Sequence, residues 1–232
     1  MRAKNLILIC ILPFLFGFQP GQINSGGDDT PVALVKKIVK DVTYRKSGSD
    51  WEEAKTGLPL RNGEEVRTGA KSLALILFTD GSGILRVKEN AILNIYGDKN
   101  AKKLNKNTVV NQGLIGFEVN KQSEDEEFKF TTPTAVASIR GTAGFLEVDG
   151  EKNLTFSLET GAAELTSTSG QKLGTVTAGN TARMDDKGNF NITQSTEADK
   201  AKGRQARTLN TKKVTIMTNK GAVVIEYYSS EK

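Results

Sequence analysis

Short apolar runs alternate with clusters of turn-forming residues along most of this chain, and this spacing constrains the fold more than any other feature. The clusters are rich in Gly, Asn, Asp and Ser, which tolerate the backbone angles of tight turns. They fall at residues 47–50, 61–63, 80–83, 96–98, 149–150, 169–170 and 186–189. The segments between them suit strands and are short for helices. The chain is therefore predicted to be an all-β sandwich, barrel or roll.

The runs between the turns are enriched in Val, Ile, Leu, Phe and Thr, which favour extended structure. Predicted strands cover residues 72–78, 83–87, 91–95, 114–119, 128–131, 143–148, 154–158, 162–166 and 174–177. In one of them Leu154, Phe156 and Leu158 share one face, as expected of a strand with one buried side. The run at residues 73–78 is apolar on both faces and is predicted to lie at the centre of the core.

Two regions are ambiguous or irregular. Residues 32–44 have apolar residues at helical spacing but are also rich in Val, and a strand is predicted at residues 38–44. Residues 196–209 predict a short polar helix. A β-hairpin is predicted to follow, built from residues 213–217 and 222–228. This tail is expected either to pack on the main domain or to form a small cap.

The first residues are typical of a secretory leader. Arg2 and Lys4 precede an apolar stretch at residues 6–18, which is shorter than the roughly 20 residues of a membrane-spanning helix. Residues 1–19 are predicted to be a signal peptide, or else an uncleaved N-terminal anchor, and residues 20–31 a linker. The protein is expected to be exported, to the periplasm or the cell surface. It would contact a membrane only through an uncleaved leader.

Beyond the leader, the chain is predicted to divide into two parts. Residues 32–190 would form the β domain, and residues 191–232 an extension made of the helix and the hairpin. The hydrophobic content of 37% and the charged content of 25% are ordinary for a soluble globular protein. A core can therefore form without disulfides or metals.

The residue types present exclude most catalytic chemistry. Histidine, the commonest general base and metal ligand, is absent, and Cys10 in the leader is the single cysteine. Adjacent acids such as Glu64 and Glu65 point to opposite faces of a strand, which disfavours a glycosidase pair. The sequence therefore predicts no enzyme activity, no catalytic residue, no metal site and no cofactor.

The charge is close to balanced. The formal net charge of +5 becomes +3 when Arg2 and Lys4 of the leader are set aside, which is too weak to indicate nucleic acid binding. A basic run and an acidic run nonetheless follow one another beside turn-forming residues. Their members are Lys99, Lys102, Lys103 and Lys106, and then Glu124, Asp125, Glu126 and Glu127. Both runs are interpreted as solvated loops, with an electrostatic docking patch as the alternative.

A series of short motifs carries a family resemblance. The series consists of Trp51, LRNGEEVRTG at residues 60–69, FTDGS at residues 78–82 and TTPTAVASIRGT at residues 131–142. Together these resemble the periplasmic domain of FecR-type iron-dicitrate sensor proteins, over roughly residues 38–184. The residues that carry the resemblance are Trp51, Gly63, Thr68, Gly69, Asp80, Gly81, Thr132, Pro133, Arg140, Gly141 and Thr142. They are predicted to be structural, and no ligand-binding residue is assigned.

The resemblance implies a domain of many short strands in a solenoid-like or rolled arrangement. It also implies a role in signalling, since the best-known members are single-span inner-membrane proteins that pass a signal from an outer-membrane transporter to a sigma factor. This sequence departs from that plan, because few residues precede the apolar stretch of the leader. It is expected to lack a cytoplasmic anti-sigma segment.

Two motif residues have alternative roles. Arg140 is expected to satisfy backbone carbonyls or a carboxylate with its five donors, or alternatively to bind an anionic ligand. Trp51 is expected to cover the end of a sheet, or alternatively to stack on a sugar. Pro133 and Gly141 would shape the turns around the last motif. Thr142 is expected to be a strand residue with a satisfied hydroxyl.

The predicted function is a non-enzymatic, exported protein-binding or sensing module of the cell envelope, whose partner is another envelope protein. The alternative is a structural binder of glycan or matrix at the cell surface or in the periplasm. The sequence indicates no oligomeric state.

Overall fold

The structure, a computed structural model, describes residues 30–100, 103–121, 126–209 and 211–228. The predicted signal peptide and most of the predicted linker lie outside these residues. In chain order the strands and the helix are β1 Ala33–Val39, β2 Val42–Arg45, β3 Glu52–Glu53, β4 Pro59–Leu60, β5 Glu64–Thr68, β6 Leu73–Phe78, β7 Gly83–Val87, β8 Ile92–Asn100, β9 Lys103–Val119, β10 Phe128–Thr131, β11 Ala135–Ile139, β12 Thr142–Val148, β13 Leu154–Thr160, β14 Ala162–Ser167, β15 Lys172–Thr177, β16 Asn180–Met184, β17 Phe190–Gln194, α1 Glu197–Arg207, β18 Thr211–Thr218 and β19 Gly221–Tyr228.

The strands before α1 form two sheets that face each other across one core. The first sheet has the order β1-β6-β7-β9-β12-β13-β16-β17, with β4 also paired to β1. The second has the order β3-β2-β5-β8-β9-β10-β11-β14-β15. Consecutive pairs alternate between the sheets: β10 and β11 lie in the second, β12 and β13 in the first, β14 and β15 in the second. The predicted all-β roll of many short strands, with a C-terminal helix and hairpin, is confirmed.

One long strand joins the two sheets. The first part of β9 pairs with β8 and β10 in the second sheet, and its last residues, from Gly113 onward, pair with β7 and β12 in the first. Gly113 has a φ of 102°, and an added Cβ there would lie 2.4 Å from the Cβ of Ala91. Only glycine meets both conditions, so this residue lets the strand change sheets.

Phenylalanine rings from both sheets fill the core. Phe117 of β9 lies 4.8 Å from Phe130 and 5.7 Å from Phe156 between ring centroids. Phe128 lies 4.9 Å from Phe78, edge to face. All five rings are buried, so they hold strands that are far apart in sequence in one hydrophobic cluster.

Several predicted strands have other limits in the structure. The single strand predicted at residues 38–44 is wrong, because Lys40 adopts a φ of 57° and separates β1 from β2. The turn predicted at residues 96–98 is wrong as well, because β8 continues through it to Asn100. Residues of low strand propensity stay extended there since β9 supplies an unbroken pairing partner.

Residues 73–78 were predicted to lie at the centre of the core, and in the structure one face of β6 does so. Ala74, Ile76 and Phe78 point into the core, whereas Leu75 and Leu77 are half-buried on the outer face. The strands β5, β11, β16 and β17 were not predicted from the pattern. Polar residues or motif residues occupy many of their outward positions, which masks the alternation.

Helix α1 packs on the outer face of the first sheet, as the packed alternative for the tail predicted. Its N-terminus is closed by a capping box, in which Thr196 and Asp199 each accept a backbone hydrogen bond from the other. Gly203 lies against the buried ring of Phe145, where an added Cβ would be 3.4 Å from a ring carbon. None of the helices in the described residues is long and apolar enough to cross a membrane.

Three ion pairs tie the helix to the strands beneath it. They are Arg183 to Asp199, Lys202 to Glu147, and Arg207 to Glu159. The helix and the sheet are therefore joined along the length of α1. The β domain was predicted to end at residue 190, but β17 begins at Phe190 and continues beyond that limit. The division of the chain into two domains stays a prediction.

A substitution at Gly116 tests this packing. Gly116 lies in β9 under the helix, and an added Cβ would be 2.5 Å from the backbone oxygen of Ala206. We expect Gly116→Ala to lower the free energy of unfolding by about 1–3 kcal/mol, because the helix must move outward. Urea unfolding measures the change, and amide hydrogen exchange shows whether α1 loses protection.

Gly150→Ala is the matched control, because no atom lies within 4 Å of an added Cβ there. Equal stability of the two variants, together with unchanged exchange in α1, would contradict the close approach of the helix to Gly116.

Candidate functional site

The FTDGS motif forms a turn that is held by a buried ion pair. Asp80 accepts a hydrogen bond from the backbone N–H of Ser82 at 2.9 Å and from the Nζ of Lys106 at 2.6 Å. The side chain of Lys106 is fully buried. Asn120 donates to the carbonyl of Gly81 at 2.7 Å and closes the other side of the turn. This motif therefore joins the start of β7 to β9.

Burial of Asp80 by itself would raise its pKa, but the hydrogen bonds from Lys106 and Ser82 outweigh burial and hold the pKa below its ordinary value. The solvated-loop prediction is wrong for Lys106, because the residue lies inside β9 and pairs with Asp80. A lysine so deeply buried needs an anionic partner, and the sequence run did not indicate one. Lys102, Glu124 and Asp125 of the two charged runs lie outside the described residues.

The motif at residues 60–69 ends in a second anchored turn. Thr68 donates through its hydroxyl to the carbonyl of Lys88 at 2.5 Å and accepts from the N–H of Ala91 at 3.0 Å. Gly69 donates to the carbonyl of Asp41 at 2.9 Å, and an added Cβ would lie 3.1 Å from the Asp41 side chain. The contacts of Thr68 hold the connection between β7 and β8, and the contact of Gly69 holds the connection between β1 and β2.

The last motif forms a turn, the strand β11 and a second turn. Thr132 donates its hydroxyl to the carbonyl of Ala135 at 2.9 Å and accepts from the same residue's N–H at 3.0 Å, around the exposed Pro133. Gly141 has a φ of 67° and lies close to the backbone of Lys121. The satisfied hydroxyl predicted for Thr142 is wrong, since Thr142 is buried and its hydroxyl has no hydrogen-bond partner.

Arg140 is exposed and lines an open cleft together with Glu127 and Glu164. Two carboxylates in the same cleft disfavour an anionic ligand at this place. The structure therefore favours the ionic, structural role of Arg140, and its anion-binding alternative stays a prediction.

Trp51 contacts two arginines. The guanidinium carbons of Arg45 and Arg67 lie over its ring, 4.5 and 4.3 Å from the centroid, and Arg45 also pairs with Glu65 at 2.6 Å. Cation–π contacts of this kind hold the ring against β2 and β5. A sugar that stacks on Trp51 would have to compete with these guanidinium groups, which disfavours the sugar-stacking alternative.

The motif residues do not converge on one site. Asp80 and Gly81 precede β7, whereas Thr68 contacts the turn that follows it, so the two motifs lie at opposite ends of this strand. Gly63 is in a third turn, where its N–H donates to the carbonyl of Ile95 at 2.7 Å. Their common property is to fix turns between strands. Among the described residues, no group of three acidic or thiol side chains is placed to hold a metal ion.

The hairpin of β18 and β19 has the most exposed apolar surface in the described parts of the chain. Cross-strand pairs place Val214, Ile216, Val223 and Ile225 on one face, and each is 43–48% exposed. On the other face Val224 is 58% exposed and Met217 is 77% exposed. An isolated two-stranded hairpin is only marginally stable in water, so exposed apolar residues on both faces indicate a contact surface. We call it the hairpin surface.

The hairpin was predicted from its sequence pattern, but its exposure was not. The available signal was that both strands are apolar at successive positions, not only at alternate ones. Strand β6 has a similar pattern, but its inner face is buried in the core. The pattern alone therefore does not distinguish a strand with a buried face from a strand that is exposed on both faces.

Comparisons with known proteins agree with the motifs. Residues 64–164 match the family model described as FecR protein, a shorter range than the predicted residues 38–184. No curated protein matches the chain. Two structures described as "Crystal structure of a putative anti-sigma factor from Parabacteroides distasonis ATCC 8503", at 2.50 and 1.65 Å, each align with 13% identity and a TM-score of 0.49. The alignment covers 56% of this chain and 59% of that one. Residues 64–164 of this chain are therefore similar to the FecR family, and this range includes the motifs at residues 78–82 and 131–142 and the end of the motif at residues 60–69.

Proposed function

We propose that this protein is a non-enzymatic, exported protein-binding and sensing module of the cell envelope. The observation that carries the proposal is the hairpin surface, which has apolar side chains on both faces. The match to the FecR family supports a sensing role, and the anchored turns of the β domain supply a rigid base for it. The absence of histidine from the whole chain supports a role without catalysis.

The partner is another envelope protein, which binds the hairpin in a groove and contacts both of its faces. In the described residues, one face of the hairpin surface presents four apolar side chains that are each less than half exposed, whereas a standard interface takes about 20–30 residues from each partner. Face-to-face pairing with a second copy would therefore bury too little area for a stable dimer. In the described residues β18 and β19 pair only with each other, so their outer edges are open to a partner strand.

Site-specific crosslinking tests the proposal. A photo-crosslinking residue is placed at Met217 of the full chain in cells, and at the exposed Lys187 as a control. We expect one envelope protein to be captured through position 217 and not through position 187. The captured protein is then purified and its binding to this chain is measured.

The double variant Ile216→Thr and Val223→Thr is expected to weaken this binding at least tenfold. Threonine keeps the strand propensity of both positions but removes apolar contact area. Unchanged affinity would exclude the hairpin surface as the contact. A dimer in sedimentation that the double variant abolishes would assign the surface to a second copy, and selective binding of glycan would favour the structural-binder alternative.

A further inference from the structure

In the described residues, α1 covers only part of the outer face of the first sheet. The helix lies on β9 and β12 and buries the ring of Phe145. Beyond it, the outward residues of β1, β6 and β7 are aliphatic and neighbour one another across the strands, Leu34 beside Leu77 and Leu77 beside Ile84. Leu34 is exposed, and Leu77, Ile84 and the adjacent Leu75 are half-buried. We call these four residues the uncovered face.

A groove continues the uncovered face towards the helix. Its volume is about 390 Å³. Val39 and Leu73 pair with each other and form its floor together with Leu114 of β9. Its rim is polar, but Lys202 of α1 is already paired with Glu147 at 2.5 Å. An aliphatic floor beside an aliphatic sheet face favours an apolar segment as the occupant.

The end of α1 brings the hairpin to this face. The C-cap residue Thr208 accepts a hydrogen bond through its carbonyl from the Nζ of Lys88 at 2.8 Å, so the helix ends above the last part of β7. Two residues then separate Thr208 from β18. An eight-residue strand is about 27 Å long, whereas Ile84 lies about 13 Å back along β7 from Lys88. The hairpin therefore reaches the uncovered face while α1 stays in place.

One face of the hairpin has the same chemistry as the uncovered face. It consists of Val214, Ile216, Val223 and Ile225, which are all aliphatic and at least 43% exposed. Two separate copies lose translational and rotational freedom when they associate, and this face is too small to offset that loss. Docking within one chain avoids most of the loss, because the short connection keeps the hairpin at a high effective concentration.

We propose that the hairpin is a lid, which closes on the uncovered face and its groove and must open to bind the partner. The inference rests on the proposed function, because it adds a closed state that competes with the partner for the same hairpin. The structure holds the open arrangement. In the closed state only the face with Met217 and Val224 stays accessible, so the apparent affinity for the partner falls in proportion to the open fraction.

Disulfide trapping in the full chain tests the closed state. Cys10→Ser is the background, since Cys10 is the single cysteine of the chain. Ile216→Cys is combined with Ile84→Cys or with Leu77→Cys, both of which replace half-buried residues outside the core. We expect at least one pair to form a disulfide within the monomer under mild oxidation, because this bond needs Cα atoms within about 7 Å.

Met217 supplies the matched control, because it neighbours Ile216 on the same strand and points to the opposite face of the hairpin. Met217→Cys with the same two sheet positions is expected to form disulfides at least tenfold more slowly. Leu34→Lys places an ammonium group on the uncovered face and is expected to slow trapping through Ile216 about tenfold. Leu34 is 36% exposed, so this variant keeps the fold.

The envelope protein captured through position 217 is the probe for regulation. The chain trapped through Ile216→Cys is expected to bind it at least tenfold more weakly, and reduction of the disulfide is expected to restore the affinity. Leu34→Lys without the cysteines is expected to bind it at least twofold more tightly, because the lid no longer competes.

Absence of a disulfide from both Ile216 pairs, or equal rates for Ile216 and Met217, would overturn the proposal. Disulfide-linked dimers in place of trapped monomers would assign the uncovered face to the hairpin of a second copy and would also overturn the lid. Unchanged affinity after trapping would show that closure does not regulate binding. Trapping needs no partner, so a failed capture contradicts the proposed function alone, and the disulfide rates still decide whether the lid closes.

Discussion

Asp80→Ala is expected to lower the free energy of unfolding by about 3–5 kcal/mol, because it leaves the ammonium group of Lys106 buried without its anion. The substitution also removes the acceptor for the N–H of Ser82 in the same turn. Asp80→Asn keeps an acceptor for Ser82 and removes the charge, so the difference between the two variants isolates the turn contact. Urea unfolding followed by circular dichroism measures both.

Lys106→Met is the informative control. It replaces the buried ammonium by an apolar side chain of similar length, and we expect it to change stability by less than about 1.5 kcal/mol. In the Lys106→Met background, Asp80→Ala should then be far less destabilising than in the wild type. Additive effects of the two substitutions would show that the pair is not coupled.

The same ion pair predicts how stability depends on pH. Asp80 has a pKa below its ordinary value in the folded protein, so its stabilising effect is complete above about pH 4, near the unfolded-state pKa, and is lost as the pH falls further. The pKa of Asp199 is lowered as well, against the effect of burial, by hydrogen bonds from the Thr196 backbone and from Arg183, so its effect on stability has the same sign. Stability should therefore fall on acidification below about pH 4, and Asp80→Asn should have a shallower fall. Identical pH profiles for the two proteins would contradict the assignment.

Phe117→Ala should have an effect of similar size, about 3–5 kcal/mol, because it opens a cavity among packed aromatic rings. Phe117 is fully buried on β9 and contacts the rings of Phe130 and Phe156, so no neighbour can fill the space without moving a strand. Thermal and urea unfolding measure the loss.

Phe190→Ala is the matched control, since Phe190 is only partly buried on the edge strand β17. We expect a loss well below that of Phe117→Ala. Equal losses in the two variants would show that the ring cluster around Phe117 does not dominate the core.

The candidate sites were less predictable than the fold. Thr68, Asp80 and Thr132 could be identified as motif residues, and the structure shows that each fixes a turn with its own side chain. The partner of Asp80 could not be identified, because Lys106 follows a run of other lysines and lies in β9 between β8 and β10, which the sequence did not indicate.

The sequence by itself determined that the chain is built of short strands, that one polar helix follows them and that a hairpin ends the described chain. Turn residues and apolar alternation act over a few neighbours, so these features need no knowledge of the rest of the molecule. Only the tertiary structure decided that β9 changes sheets at Gly113, because that depends on Ala91 lying against it. It also decided which apolar strands are covered: β6 gains a core on one face, whereas the hairpin surface gains none. Burial depends on what packs across a face, and that partner is far away in the sequence or on another molecule.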